Sequence, residues 1–216
     1  KGLKQSEGRL HRQEGNYSAS HHSLELNGAS LTLIGLGRIA SRVATVALAA
    51  GMTVTAYDPF ESNEKFEQLG VGRASTLVEA VREAQVVSIH APLTDQTHHL
   101  ISAELLDQMT DGVFIVNTAR GGLVDDSALI DALTSGKVQA AGLDVTDPEP
   151  LPQGHPLLQH DNILVTPHVA SATSEGRKRI FTMAIDQVLT GLSGSKPSNI
   201  LNPEVWPGRS SMQTVT

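Results

Sequence analysis

Three residues far apart in the chain have side chains suited to one reaction. Arg120 lies in Ile115-Val-Asn-Thr-Ala-Arg-Gly-Gly-Leu-Val124 and offers a planar fork that can grip a carboxylate through two parallel hydrogen bonds. His168 lies in Leu164-Val-Thr-Pro-His-Val-Ala-Ser171 and can give or take a proton. Glu149 lies in Ala141-Gly-Leu-Asp-Val-Thr-Asp-Pro-Glu-Pro150, where a carboxylate could fix the tautomer of that imidazole. Singly, each is an ordinary loop residue. Each also follows an apolar run that reads as a strand, and ligand crevices of open α/β sheets lie beyond the carboxyl ends of strands. An arginine, an acid and a histidine so placed are the parts needed for hydride transfer on a 2-oxo acid. Arg120 would hold the carboxylate and polarise the carbonyl. His168 would protonate the carbonyl oxygen as hydride arrives and take the proton back in reverse.

Such a reaction needs a hydride carrier, and the sequence contains a place for one. Leu31-Thr-Leu-Ile34 runs straight into Gly35-Leu-Gly37-Arg-Ile-Ala40, a G-x-G-x-x-A pattern between a strand and a helix. Gly35 permits the tight turn, Gly37 removes a side chain where the backbone must approach a pyrophosphate, and Ala40 lets the helix pack close. The amides of Arg38 and Ile39 would point at the phosphates from a helix N-terminus. The next strand ends at Tyr57-Asp58-Pro59, about 20 residues on. A carboxylate at Asp58 accepts hydrogen bonds from ribose hydroxyls and repels a 2′-phosphate, so NAD(H) is expected over NADP(H). The plainer alternative is that Asp58 only turns the chain before Pro59.

These residues require a sheet to carry them. Apolar runs at Leu31–Ile34, Thr53–Tyr57, Val86–Ile89, Val113–Val116, Ala140–Val145 and Ile163–Val165 read as parallel strands buried on both faces. Helical patterns alternate with them. Ile39–Ala50 ends at Gly51, Ser75 caps Thr76–Glu83, Ser102 starts a turn, and Asp126 or Ser127 starts a helix that stops at Gly136. A last helix is expected from about Ser171 to Leu192, with an apolar stripe through Ile180, Phe181, Ala184, Ile185, Val188 and Leu189. The alternation predicts an α/β fold of Rossmann type, a doubly wound parallel sheet with helices on both faces. Residues 1–28 read as a polar linker or frayed terminus, and residues 196–216 as an irregular tail.

Composition narrows the class. The chain has 216 residues and a formal net charge of -7, which argues against a nucleic-acid partner. With no cysteine, a disulfide scaffold, a thiolate zinc site and a cysteine nucleophile are all excluded. No stretch approaches the roughly 20 apolar residues of a membrane helix, and a cytoplasmic location is expected. His21 and His22 could chelate a metal but have no carboxylate partner in sequence, so no metal site is expected. The first residue is Lys1, which reads as a piece of a longer or processed chain.

Five ordered motifs resemble the D-isomer-specific 2-hydroxyacid dehydrogenases. They are the glycine loop, His90-Ala-Pro-Leu-Thr94 with Thr97, Asn117-Thr-Ala-Arg-Gly121, Gly142-Leu-Asp-Val145 with Glu149-Pro150, and Thr166-Pro-His168. The resemblance spans about residues 25–204. It implies that Arg120, Glu149 and His168 are a catalytic trio, and that Asp144 binds the nicotinamide carboxamide. It also implies that Thr118 and Ala119 line the nicotinamide, that Pro92 and Thr97 lie along the cofactor, and that His168 to Ser171, with Ala170, makes a further cofactor contact. The family usually has Gly where Ala40 stands.

By the same resemblance, residues 1–27 are a remnant of a linker and substrate domain, with Tyr17 nearby, and 28–170 form the NAD-binding domain. Residues 171–195 return to the substrate domain, which is largely missing here. An exposed apolar patch on that last helix, weak turnover by the fragment, and a homodimer through the cofactor domain are expected. Substrates would be small 2-oxo or D-2-hydroxy acids of the glyoxylate or hydroxypyruvate kind. The competing reading is a cofactor-sensing interaction protein like the C-terminal-binding corepressors, which share these motifs. Formate dehydrogenase is disfavoured, because Glu149 stands where that enzyme has Gln.

Overall fold

The computed structural model describes residues 3–14 and 23–206. Tyr17, His21, His22 and the tail from Pro207 lie outside them. The chain divides into two compact units, Lys1–His168 and Val169–Thr216.

The first unit is built on seven parallel strands: β1 Ser30–Ile34, β2 Thr53–Tyr57, β3 Gly72–Arg73, β4 Val86–Ile89, β5 Val113–Asn117, β6 Val138–Leu143 and β7 Ile163–Val165. Their order across the sheet is β3-β2-β1-β4-β5-β6-β7. The connecting helices are α2 Arg38–Ala49, α3 Asn63–Leu69, α4 Leu77–Val81, α5 Ala103–Asp107, α6 Asp126–Ser135 and the single turn α7 Pro156–Gln159. This order puts a switch point between β1 and β4, where a crevice opens beyond the strand ends.

Two apolar clusters hold the sheet. Leu31, Leu33, Val54 and Ala56 pack on one face with Ala40, Ala44 and Ala47 of α2 and Phe66 of α3. The alternate residues Ile34, Val87, Ile89, Ile115 and Leu143 face the other way, with Val81 of α4, Leu105 and Leu106 of α5, and Leu129 and Leu133 of α6. Helices therefore lie on both faces, but unevenly. On the α2 face the outer strands are left less covered, and Leu164 of β7 is 62% exposed. The expectation of strands buried on both faces holds for β1 and fails for β7, where one face has no helix from this unit.

Several boundaries differ from the sequence reading. Residues 3–11 form a helix, α1 Leu3–His11, where a linker was expected. The run has no proline, and its Lys, Gln, Glu, Arg and Leu are good helix formers. The cap of α4 is Thr76 rather than Ser75; its Oγ1 accepts from the Glu79 amide at 3.1 Å, while Glu79 Oε2 accepts from the Ser75 amide at 2.8 Å. Counted from Thr76, the glutamate sits at the spacing of a capping box. The cap of α6 is Asp125, not Asp126 or Ser127, since Asp125 Oδ1 accepts from the amides of Ser127 and Ala128. β6 runs two residues earlier than the apolar run implied, so the chain has left the sheet by Asp144. β3, α3 and α7 are additions.

In the second unit, α8 Ser174–Leu192 is capped by Thr173, whose side chain accepts from the Gly176 amide, three residues later than the expected start. Its apolar residues Ile180, Phe181, Ile185, Val188, Leu189 and Leu192 are exposed. The tail continues in turns to a short 3-10 segment, Pro203–Val205. Among the described residues, no helix is long and apolar enough to cross a membrane.

Candidate active site

The first part of the site is made of backbone. β1 delivers the chain to Gly35, whose φ of +93° lies in the region that favours glycine. The Gly35 amide donates to Tyr57 O at 2.8 Å, and a Cβ on Gly35 would lie 3.0 Å from the His90 carbonyl carbon. The turn is thus wedged between the ends of β2 and β4. Gly37 behaves differently. It is the N-cap residue of α2 and makes no side-chain cap bond, so the first amides of α2 have no capping acceptor. A Cβ on Gly37 would meet nothing within 4 Å. Free donors beside open space at a helix N-terminus fit the pyrophosphate of a dinucleotide. Ala40 is fully buried in the α2 cluster, which is the close packing its size allows.

Asp58 stands at the end of β2, against this loop. Its Oδ2 accepts from the Leu36 amide at 2.8 Å and its Oδ1 from the Phe60 amide at 2.9 Å. The carboxylate therefore braces the loop as well as turning the chain. Each oxygen keeps a lone pair for a ribose hydroxyl. At the end of β4, Thr97 Oγ1 donates to Pro92 O at 2.6 Å and accepts from the Thr94 amide at 2.8 Å, which makes Pro92 and Thr97 one closed turn. His90 sits just before it, with Nε2 3.0 Å from Ser88 Oγ, and its burial lowers its pKa below the ordinary histidine value.

The second part of the site is made of side chains from three neighbouring strand ends. At the end of β5, Asn117 is fully buried and folds the next three residues, its Oδ1 accepting from the Ala119 amide and its Nδ2 donating to Arg120 O at 2.8 Å. Thr118 and Arg120 are exposed, and the guanidinium donates to Ala119 O at 2.6 Å. After β6, Asp144 is buried; its amide donates to Asn117 O, and its Oδ1 accepts from Thr166 Oγ1 at 2.5 Å. After β7, the His168 amide donates to Asp144 O at 2.8 Å, and its φ is +53°, uncommon outside glycine. Its Nδ1 lies 2.7 Å from Glu149 Oε1, with side chains 46% and 42% exposed. Nε2 is left as the ring nitrogen that can exchange a proton with a ligand.

Residues 1–170 match the family described as the D-isomer specific 2-hydroxyacid dehydrogenase, NAD binding domain. The chain belongs to that family. It is 42% identical over 182 residues to the glyoxylate reductase of Aeropyrum pernix, covering 84% of this chain and 54% of that protein. It is 41% identical over 179 residues to the D-3-phosphoglycerate dehydrogenase of Methanocaldococcus jannaschii, covering 83% of this chain and 34% of the relative. The chain therefore spans between a third and about half of these relatives' length. Among solved structures, D-lactate dehydrogenase from Aquifex aeolicus, complexed with NAD and lactic acid, superposes with a TM-score of 0.81 at 35% identity over 90% of this chain and 62% of that one.

Within this NAD-binding domain, most of the residues singled out in the sequence fall on one edge of one unit. Gly35, Gly37, Arg38, Ile39 and Asp58 meet at β1 and β2; Pro92 and Thr97 stand at β4; Thr118, Ala119, Arg120, Asp144, Glu149 and His168 stand at β5 to β7. Ala170 is in the second unit, which begins at Val169. Three residues were given no positioning role from sequence. Asn117 shapes the Arg120 turn, and Thr166 holds Asp144. Gly121 permits contact between two loops, since a Cβ on it would lie 2.0 Å from the Thr146 carbonyl carbon. An asparagine three residues before the arginine was the visible signal for the first, because Asn side chains commonly fold the two residues that follow them.

Proposed function

We propose that the protein is an NAD(H)-dependent oxidoreductase that moves a hydride between the nicotinamide and a small 2-oxo or D-2-hydroxy acid of the glyoxylate or hydroxypyruvate kind. The observation that carries this reading is the pairing of His168 with Glu149 at 2.7 Å, beyond the same sheet edge that bears the glycine loop. When bound, the nicotinamide ring supplies or accepts the hydride. Arg120 grips the substrate carboxylate and polarises the adjacent carbonyl. His168 donates a proton from Nε2 to the carbonyl oxygen, so that hydride and proton add across the C=O bond, and it recovers the proton in the reverse direction. Glu149 accepts from Nδ1 and so keeps that proton in place and the ring oriented. Asp144, held by Thr166, would accept from the carboxamide and so help to orient the ring.

Asp58 selects NAD(H), since a 2′-phosphate would meet its carboxylate. Under this reading the protein works in the cytoplasm as a homodimer through its cofactor domain, which light scattering of the purified protein checks. The decisive experiment follows NADH oxidation by the full-length protein with glyoxylate or hydroxypyruvate. Oxidation that depends on the 2-oxo acid supports the proposal. Tight NADH binding with no such oxidation would overturn it.

A further inference from the structure

In the reaction above, the substrate carbonyl must meet two groups at once. Arg120 stands after β5 and His168 after β7, while Glu149, which pairs with His168, comes from the loop after β6. No single strand fixes these three against one another, so contact between the loops must do it.

The loops after β5 and β6 meet at Gly121, the residue that follows the arginine. It is buried and opens the 3-10 turn Gly121–Leu123. Its φ lies outside the left-handed region, so what the position requires is space rather than dihedral freedom. A Cβ on Gly121 would overlap the Thr146 carbonyl group and lie 2.6 Å from Asp147 N. The Thr146–Asp147 peptide thus rests on the bare Cα of Gly121. The turn beneath it is tied to the segment after β4, since the His99 amide donates to Gly122 O at 2.8 Å and the Ile101 amide to Leu123 O at 2.9 Å. Above it, Thr146 Oγ1 donates to Pro148 O at 2.9 Å and closes the short stretch that leads to Glu149. Gly122 is a different case. The nearest neighbours of a Cβ there would be the ends of the Asp147 and Leu93 side chains, at 3.2 Å, and both can turn away.

We propose that Gly121 is a positioning residue for proton transfer: the peptide seated on it holds the loop after β6 where Glu149 meets Nδ1 of His168. The inference rests on the functional reading above and adds to it the residue that sets its acid–imidazole pair. Glu149 accepts from Nδ1, so the pair keeps the neutral ring in its Nδ1–H tautomer, with Nε2 facing the substrate. A side chain at position 121 pushes the loop off the turn, the carboxylate leaves Nδ1, and the ring reverts to the tautomer mixture of a free imidazole.

Two-bond proton–nitrogen correlation spectra of the 216-residue chain with isotope-labelled histidines, taken where the ring is neutral, read that tautomer without substrate. The His168 signals are those that vanish in His168→Gln. Wild type and Gly122→Ala are expected to show the Nδ1–H form. Gly121→Ala is expected to lose it, as Glu149→Ala does, and its kcat for the 2-oxo acid should fall by about a hundredfold, the effect of a misplacement of roughly 1 Å, with the Kd for NADH unchanged. Thr146→Val keeps the side-chain shape and removes the bond to Pro148 O. It should shift the tautomer in the same direction and lower kcat by a smaller factor, and it decides the question if Gly121→Ala does not fold. Retention of either the Nδ1–H form or the wild-type kcat in folded Gly121→Ala, or in Thr146→Val where only that variant folds, would overturn the positioning role and leave the functional reading intact. Failure of the wild type to reduce 2-oxo acids would overturn the functional reading alone, because the tautomer is read without substrate.

Discussion

At the β1 end of the sheet edge, the groups offered to a ligand are chiefly backbone amides, made available by what Gly35 and Gly37 lack. At the β5–β7 end they are side chains, each held by another residue, and for Asp144 and His168 that residue comes from beyond the end of a neighbouring strand. Asn117 folds the Arg120 turn, Thr166 holds Asp144, and Glu149 holds His168. The first end is local, closed within one strand-turn-helix with Asp58 as its outside brace. The second exists only once three strands are in register. A phosphate site can be made from peptide units alone, because phosphate asks for donors and a favourable dipole. Proton transfer asks for a titratable ring in one tautomer, which a single turn cannot fix.

If that contrast is right, damage at the two ends should separate chemistry from binding. The largest effect is expected from His168→Ala. It should lower 2-oxo acid turnover by about a hundred- to ten-thousandfold, the usual worth of a positioned general acid, with the Kd for NADH nearly unchanged. Steady-state rates beside a titration of NADH check it. A variant that keeps near wild-type turnover would dissolve the distinction between the two ends.

Gly37→Val tests the other end. A Cβ there meets no protein atom within 4 Å, so the fold should tolerate it. The space it fills is the one assigned to the pyrophosphate, so NADH affinity should fall by roughly a hundredfold at an unchanged melting temperature. Equal loss of stability and affinity would mean that the glycine is needed for the fold and that the amide cradle is misplaced.

The same contrast explains what the sequence disclosed. The glycine loop could be read because its parts are neighbours: an apolar strand, two glycines and a helix start within ten residues. Six of the seven strands were legible as Val- and Ile-rich runs. β3, only Gly72–Arg73, has no periodicity to read, and it is a strand because β2 offers it a partner. Asp125 rather than Asp126 caps α6 because backbone dihedrals choose the cap, and adjacent aspartates look alike in sequence. The Glu149–His168 pair spans 19 residues with a strand between, so the residues alone made each plausible and only the fold brings them within 2.7 Å. Thr166 had no role of its own within the Thr166-Pro-His168 motif, and it reaches Asp144 because β7 lies beside β6.

Gly35→Ala sharpens the division inside the glycine loop itself. At φ +93°, with His90 backbone atoms 3.0 Å from the new Cβ, alanine is strained in dihedral and crowded by atoms that cannot move independently. The variant should be less stable by about 1–3 kcal/mol, measured by urea unfolding. Two glycines of one motif would then separate, Gly35 serving the fold and Gly37 the ligand. A stable Gly35→Ala protein would show that the turn relaxes away from β4.

The smallest effect concerns the ground behind the proton-transfer end. Asp126, in the first turn of α6, has a buried Oδ2 without a hydrogen-bond partner. Burial raises its pKa first; the Asp147 and Asp125 carboxylates raise it further, and His155 and His99 oppose them. A carboxyl whose folded pKa lies above its unfolded value of 3.8 binds its proton more tightly in the folded state. Its ionisation therefore destabilises the fold at neutral pH, and the cost fades as the pH falls through the folded pKa toward the unfolded one. Asp126→Asn should be more stable than wild type at pH 7, with the gap closing as the medium approaches pH 4. The gain should stay below about 1 kcal/mol, because Asp126 is only partly buried and solvent screens the repulsion. Helix-dipole loss should not reverse it, since Asp125 already accepts from two amides at the same terminus. Urea unfolding of both proteins across that range decides the matter: a gap that widens toward acid would mean that the Asp126 carboxylate is stabilised by His155 and His99 rather than crowded by its fellow acids.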